Sequence, residues 1–124
     1  MKLTAVDFVC YNVSNFPAAL AFYRDTLGLK VTAEYGGQFA EFDTGNVTVA
    51  IGNWGKDMDK SGQKGGATVA FHVDDLAGTI DELKGKGIPI IEGPHDTPVC
   101  HMAGIKDPDG NTIMFHCRKD GTKG

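Results

Sequence analysis

Seven side chains of this sequence could carry chemistry between them: the cysteines Cys10, Cys100 and Cys117 and the histidines His72, His95, His101 and His116. Cys10 with His72 or His116 has the makings of a thiolate–imidazole pair, in which the ring takes the thiol proton and leaves a nucleophile. A histidine alone could serve as a general base near neutral pH. Cys10, His72 and His116, with Glu41 as a fourth group, could also hold a divalent metal, since thiolate, imidazole and carboxylate are the donors such ions take. Against both stands the ordinary reading, in which Cys10 is a small buried hydrophobe and the two histidines sit hydrogen-bonded or solvated near strand ends. None of these residues lies at a local metal or redox spacing such as CxxC, so the choice depends on which elements hold them and which way each element faces.

The elements recur in a fixed order. Leu3 to Val13 is rich in β-branched and aromatic residues and reads as a strand. Phe16, Leu20, Tyr23 and Leu27 fall at helical spacing within 15–27, and Gly28 ends that helix. Strand-like runs follow at 29–35, 38–43 and 47–52, parted by Gly36-Gly37 and by Thr44-Gly45-Asn46. After the polar stretch NWGKDMDKSGQKGG the order repeats. ATVAFHV is a strand, Leu76, Ile80 and Leu83 form the stripe of a helix over 76–87, and IPIIE, VCHMAGI and NTIMFHC supply three more strands. LGLKV answers KGIPI and DTGNVTVA answers DPDGNTIMF at an offset of roughly sixty residues, which marks a duplicated βαβββ module. Module one spans 1–53, a linker 54–66, module two 67–118 and a tail 119–124. Two antiparallel sheets, each backed by one helix, would curl around a shared concave face suited to a ligand.

Strand alternation then sorts the candidates. Cys10 and Asn12 share the face of Phe8, His72 and Ala70 that of Thr68, and His116 that of Met114. In VCHMAGI, Cys100 and Met102 share one face and His101 and Ala103 the other, and either set could face the cavity. His95 belongs to a loop, EGPHDTP, with a solvated side chain. Phe22-Tyr23 packs helix on sheet, Asp74-Asp75 is an N-cap pair, and the glycine pairs 36–37 and 65–66 are turns without phosphate-loop spacing. Trp54 either covers the edge of a pocket or packs between modules.

The chain has 124 residues, 41% hydrophobic and 23% charged, enough for one domain with a sizeable core. A net charge of −4 with no basic run argues against nucleic acid or an anionic membrane as a partner and leans toward cationic ligands. The start, MKLTAVDFVCYNV, reads as neither a signal peptide nor a membrane span, and three cysteines suit a reducing cytoplasm.

NFPAALAFYRDTLGLKV, AFHVDDL and DPDGN resemble, in order, spacing and duplication, the glyoxalase, bleomycin-resistance and extradiol-dioxygenase (vicinal oxygen chelate) superfamily, over about Leu3 to Cys117. The resemblance implies an α+β fold of two tandem βαβββ modules forming a curved mixed sheet around a shared cavity. It also implies homodimers, with modules paired within a chain or between chains. Metal enzymes of that superfamily draw one His, Gln or Glu from each of four strands. Carried over one at a time, those positions fall on Phe8, Val49, Thr68 and Met114. None is a ligand for a hard or borderline ion. The expectation is therefore no metal and no cofactor, a divalent metal entering only if ligands are displaced. The resemblance then implies a small-molecule binding protein of the bleomycin-resistance type. Phe8, Cys10, Val49, Trp54, Thr68, His72, Met114 and His116 would line its ligand site. The alternative is a glyoxalase- or dioxygenase-like enzyme with displaced ligands or a Cys/His pair.

Overall fold

The computed structural model describes Lys2 and residues 7–53 and 68–122; Trp54 and the whole of the 54–66 stretch lie outside the described residues. Two compact units, Met1–Gly66 and Ala67–Gly124, have the same element order.

In the first, β1 (Phe8–Asn12) leads into α1 (Phe16–Ala21), a π-helical turn (Phe22–Thr26), β2 (Lys30–Tyr35), β3 (Phe39–Asp43) and β4 (Thr48–Gly52). Asn15 starts α1 because its carboxamide oxygen accepts from Ala18 N at 3.1 Å, and Pro17 sits in the first turn where no N–H is needed. The expected helix over 15–27 does not stay α-helical. From Phe22 the turns widen, with Leu27 N bonding Phe22 O five residues back, so that the adjacent Phe22 and Tyr23 are both buried. Gly36 and Gly37, both at positive φ, close the β2–β3 hairpin with Gln38 N on Tyr35 O, as a two-residue turn of the primed type requires.

The strand order is β1-β4-β3-β2, and β1 runs parallel to β4, so the sheet is mixed as the resemblance implies and not antiparallel throughout as the runs alone suggest. The helix between β1 and β2 carries the chain back past the sheet, which lets the first and last strands of the module run the same way. Tyr23 is fully buried, stacked on Phe42 with ring centroids 5.7 Å apart and tilted against Tyr11 at 6.1 Å. Phe42, Tyr11, Val49 and Ile51 thus mark the helix-facing side of the sheet.

The second unit repeats the plan with β5 (Val69–His72), α2 (Leu76–Gly85), β6 (Glu92–Asp96), β7 (Cys100–Lys106) and β8 (Thr112–Arg118), in the order β5-β8-β7-β6 with β5 and β8 parallel. Leu76, Ile80 and Leu83 bury one stripe of α2, and Ala103, Ile105, Ile113 and Phe115 form the buried strand residues. The strand expected at IPIIE instead lies at EGPHD. Every residue of β6 is exposed, and as the edge strand it tolerates Pro94 and a register shift that an interior strand would not.

The DPDGN turn before β8 is tied by one side chain. Asp107 Oδ1 accepts from the N–H groups of Asp109 and Asn111 at 2.9 and 2.8 Å, and Oδ2 accepts from Asn111 Nδ2 at 2.8 Å. Asp43 does the same work more simply in the first unit, accepting from Gly45 N at 2.8 Å.

Candidate functional site

On each sheet the face away from the buried helix contacts is the candidate ligand face, and register decides who stands on it. In module one, Phe8 is opposite Thr48, Cys10 opposite Ala50, and Ala50 opposite Glu41, which in turn is opposite Ala33. Phe39 and Tyr35 continue the same face with ring centroids 5.9 Å apart. Phe8, Cys10 and Glu41 therefore share one surface. Val49 does not. It pairs with Val9 and Phe42 and is buried on the helix side, so the residue placed there by resemblance is one position out of register. A strand slip of one residue exchanges the two faces, and Thr48 and Ala50 are the residues β4 turns to the ligand face.

In module two, His72 is opposite His116, and His116 is opposite Met102; one step along, Ala70, Met114 and Gly104 form the next row. A Cβ built on Gly104 would lie 3.6 Å from Met114 Sδ, in agreement with a shared face. The open question about VCHMAGI is thereby settled: Met102 and Cys100 face the Met114 side, and His101 and Ala103 the helix side. Thr68 is exposed, just before β5. Trp54 is outside the described residues.

His72 Nε2 lies 2.8 Å from Asp74 Oδ1. The carboxylate holds that nitrogen and leaves Nδ1 for other work. Of the expected cap pair, Asp75 alone caps α2, accepting from Gly78 N at 3.0 Å. Cys10 Sγ is half-buried and directed at Tyr11 O, 3.5 Å away. Cys10 belongs to module one and both histidines to module two. What each module brings together by itself is Cys10 with Glu41, and His72 with His116.

A cavity of about 530 Å³ opens on the other side of the module-two sheet, lined among others by Asp75, Ile80, Pro94, Asp96, His101 and Cys117. Its polar groups are engaged with one another. Lys119 Nζ lies 2.6 Å from Asp96, His101 Nδ1 3.4 Å from the same carboxylate, and Asp75 serves the helix. The hydrogen bond from Lys119, then the attraction of its charge and that of His101, hold the Asp96 carboxyl below its ordinary range. His95, expected in a loop, lies in β6 with Nε2 3.6 Å from Glu92.

The side chains sequence reasoning did not name are Ala33, Tyr35, Phe39, Thr48 and Ala50. The alternation in QFAEFD carried the signal for Phe39 beside Glu41, whereas Thr48 and Ala50 are chosen over Val49 only by the register of β4 on β1.

The model of the Glyoxalase/Bleomycin resistance protein/Dioxygenase superfamily matches residues 5–115. The chain belongs to that superfamily. Among members of known name it is 28% identical to the metallothiol transferase FosB of Staphylococcus epidermidis, over 94% of this chain and 83% of that one. In fold it is similar to TnmS3, an antibiotic-binding protein from Streptomyces sp. CB03234, with a TM-score of 0.80 at 22% identity, covering 96% of this chain and 99% of that one. A lactoylglutathione lyase from Agrobacterium tumefaciens superposes with a TM-score of 0.71, also at 22% identity, covering 94% and 95%.

The superfamily's metal enzymes raise the question of a divalent ion, and the donor set here does not fit one. Phe8, Thr68 and Met114 stand at three of the carried-over positions, and Thr48, Val49 or Ala50 at the fourth in any register. Among the described residues no three His, Cys, Asp or Glu side chains converge to hold a metal.

Proposed function

We propose that this superfamily member is a binding protein that takes a small amphipathic or aromatic molecule without a divalent metal, in the manner of the antibiotic-binding branch. The observation that carries the reading is the chemistry of the ligand faces. Where metal enzymes place imidazole and carboxylate, this chain has phenyl, methyl, hydroxyl and thioether groups, and an apolar surface with a few polar groups suits a small organic ligand. The ligand set of the reading is Phe8, Cys10 and Glu41 with Thr48 and Phe39 in module one, and His72, Met102, Met114 and His116 in module two.

The chain works in this reading as a homodimer in the cytoplasm, in keeping with three cysteines that form no disulfide; no helix among the described residues is long and apolar enough to cross a membrane. Sedimentation velocity on the purified chain checks the dimer.

The deciding experiment is the divalent metal content of untagged protein purified without chelators, followed by a ligand screen. The proposal expects far less than one ion per chain and a hit among apolar or aromatic compounds. Stoichiometric nickel, zinc, iron or manganese would overturn it.

One observation favours a catalytic reading instead. His72, oriented by Asp74 and paired in register with His116, has the second partner that general-base histidines commonly use. Turnover of a hemithioacetal or catechol that His72→Gln abolishes without loss of fold would establish it.

A further inference from the structure

Glu41 is out of keeping with its surroundings. It stands midway across the module-one sheet, between Ala33 on β2 and Ala50 on β4, and Ala50 separates it from Cys10 on β1. Both side chains directly opposite it are methyl groups, neither of which can bond the carboxylate. Along its own strand the same face offers Phe39, whose ring is paired with Tyr35, and toward the opposite edge it offers Phe8. Glu41 is half-buried already. Its backbone carbonyl accepts from Thr32 Oγ1 at 3.3 Å, and its carboxylate takes part in none of the ion pairs found among the described residues.

The other charges of this face are at its end. Lys30 and Asp43, opposite in charge, are register partners where β2 begins and β3 finishes, and Asp43 also accepts from Gly45 N. Asn12, Thr48 and Cys10 are neutral neighbours. Among the described residues the charges of Lys30 and Asp43 offset one another, and Glu41 is the excess negative charge of this face, set among aromatic and methyl groups.

A molecule lying on this face would remove water from that carboxylate. If the molecule is neutral, the charge loses hydration and gains at most a hydrogen bond from a neutral donor. If it is anionic, repulsion is added. A protonated amine returns a hydrogen bond and an opposite charge together, and the rings of Phe39, Tyr35 and Phe8 are surfaces that attract the same cation and pack its apolar body. Selection works against the wrong ligands as much as for the right one.

We infer that Glu41 makes the module-one face selective for organic cations, meaning small molecules with an aromatic or aliphatic body and a protonated amine. The inference rests on the binding reading above and names the ligand class of that site. Glu41 is a recognition residue here, with no part in any bond-making step.

The test is isothermal titration of the full chain at neutral pH with three naphthalenes of one shape: naphthylmethylamine, naphthylmethanol and naphthoate. The amine should bind at least about tenfold more tightly than the alcohol, and the alcohol more tightly than the naphthoate. The preference should shrink as salt is raised. Glu41→Gln should bring amine and alcohol to equal affinity, while Glu41→Asp, which keeps the charge, should retain part of the preference and so show that the loss in Glu41→Gln is not a folding defect. Amide shifts at Ala33, Glu41 and Ala50 on adding the amine should locate it on this face. Binding of all three compounds without a charge preference, or a preference that survives Glu41→Gln, overturns the inference and leaves the binding reading standing. If none of the three binds, the binding reading falls for aromatic ligands and the inference falls with it.

Discussion

Two residues fix local geometry that many others depend on. Asp107 is buried and satisfies three N–H donors, so Asp107→Ala leaves two backbone donors and the Asn111 carboxamide without it; we expect a loss of about 3 kcal/mol in urea unfolding. Phe42 fills the centre of the module-one core against Tyr23, and Phe42→Ala should cost about 3–5 kcal/mol by the same measurement. The pair of Asp96 with Lys119 is exposed and reports on pH. A carboxyl lowered in the folded state adds stability above its unfolded value and loses it as pH falls through the folded one. Carboxyl NMR titration should find Asp96 titrating below its ordinary range, and Lys119→Ala should move it back up. The DPDGN turn was legible because Asp, Gly and Asn each have one physical reason to be there. The facing of Val49 was not, because a motif-derived position carries no parity until the strand it belongs to has a partner.

At the scale of elements, the start of α2 offers a clean coupling. A Cβ at Gly78 would run into the Asp75 carboxylate, which is the cap itself. Asp75→Ala should cost about 1 kcal/mol. Gly78→Ala should gain less than the roughly 1 kcal/mol of helix propensity it offers, since the carboxylate must move aside, and should gain the full amount in an Asp75→Ala background. A double-mutant cycle on thermal unfolding measures the difference. The helices and most strands were readable from spacing. β6 was displaced because its sequence, EGPHD, has the glycine and proline that ordinarily deny a strand, and only its place at the sheet edge permits it. The π-helical turn had no signal at all: an extra residue in a helix leaves the apolar spacing nearly intact while changing which neighbours are buried.

For the whole molecule, duplication was the most legible property, since both halves keep the same element and strand order. The ligand faces follow from it, and on the metal-free reading proposed above the chain should be indifferent to chelators. We expect the melting temperature to be unchanged by EDTA, and a fall of several degrees would show that metal contributes to the fold. The register shifts in β2 and β6 have one more consequence. These are the outermost strands of their sheets, and in both the ladder is interrupted, between Val31 and Ala33 and between Glu92 and His95. A broken ladder is a poor template for a foreign strand, and Pro94 has no N–H to offer one. Each half thus blunts one of its own borders against fibril-like stacking, so that a protein made largely of β-structure can be kept at high concentration without its copies zipping together there.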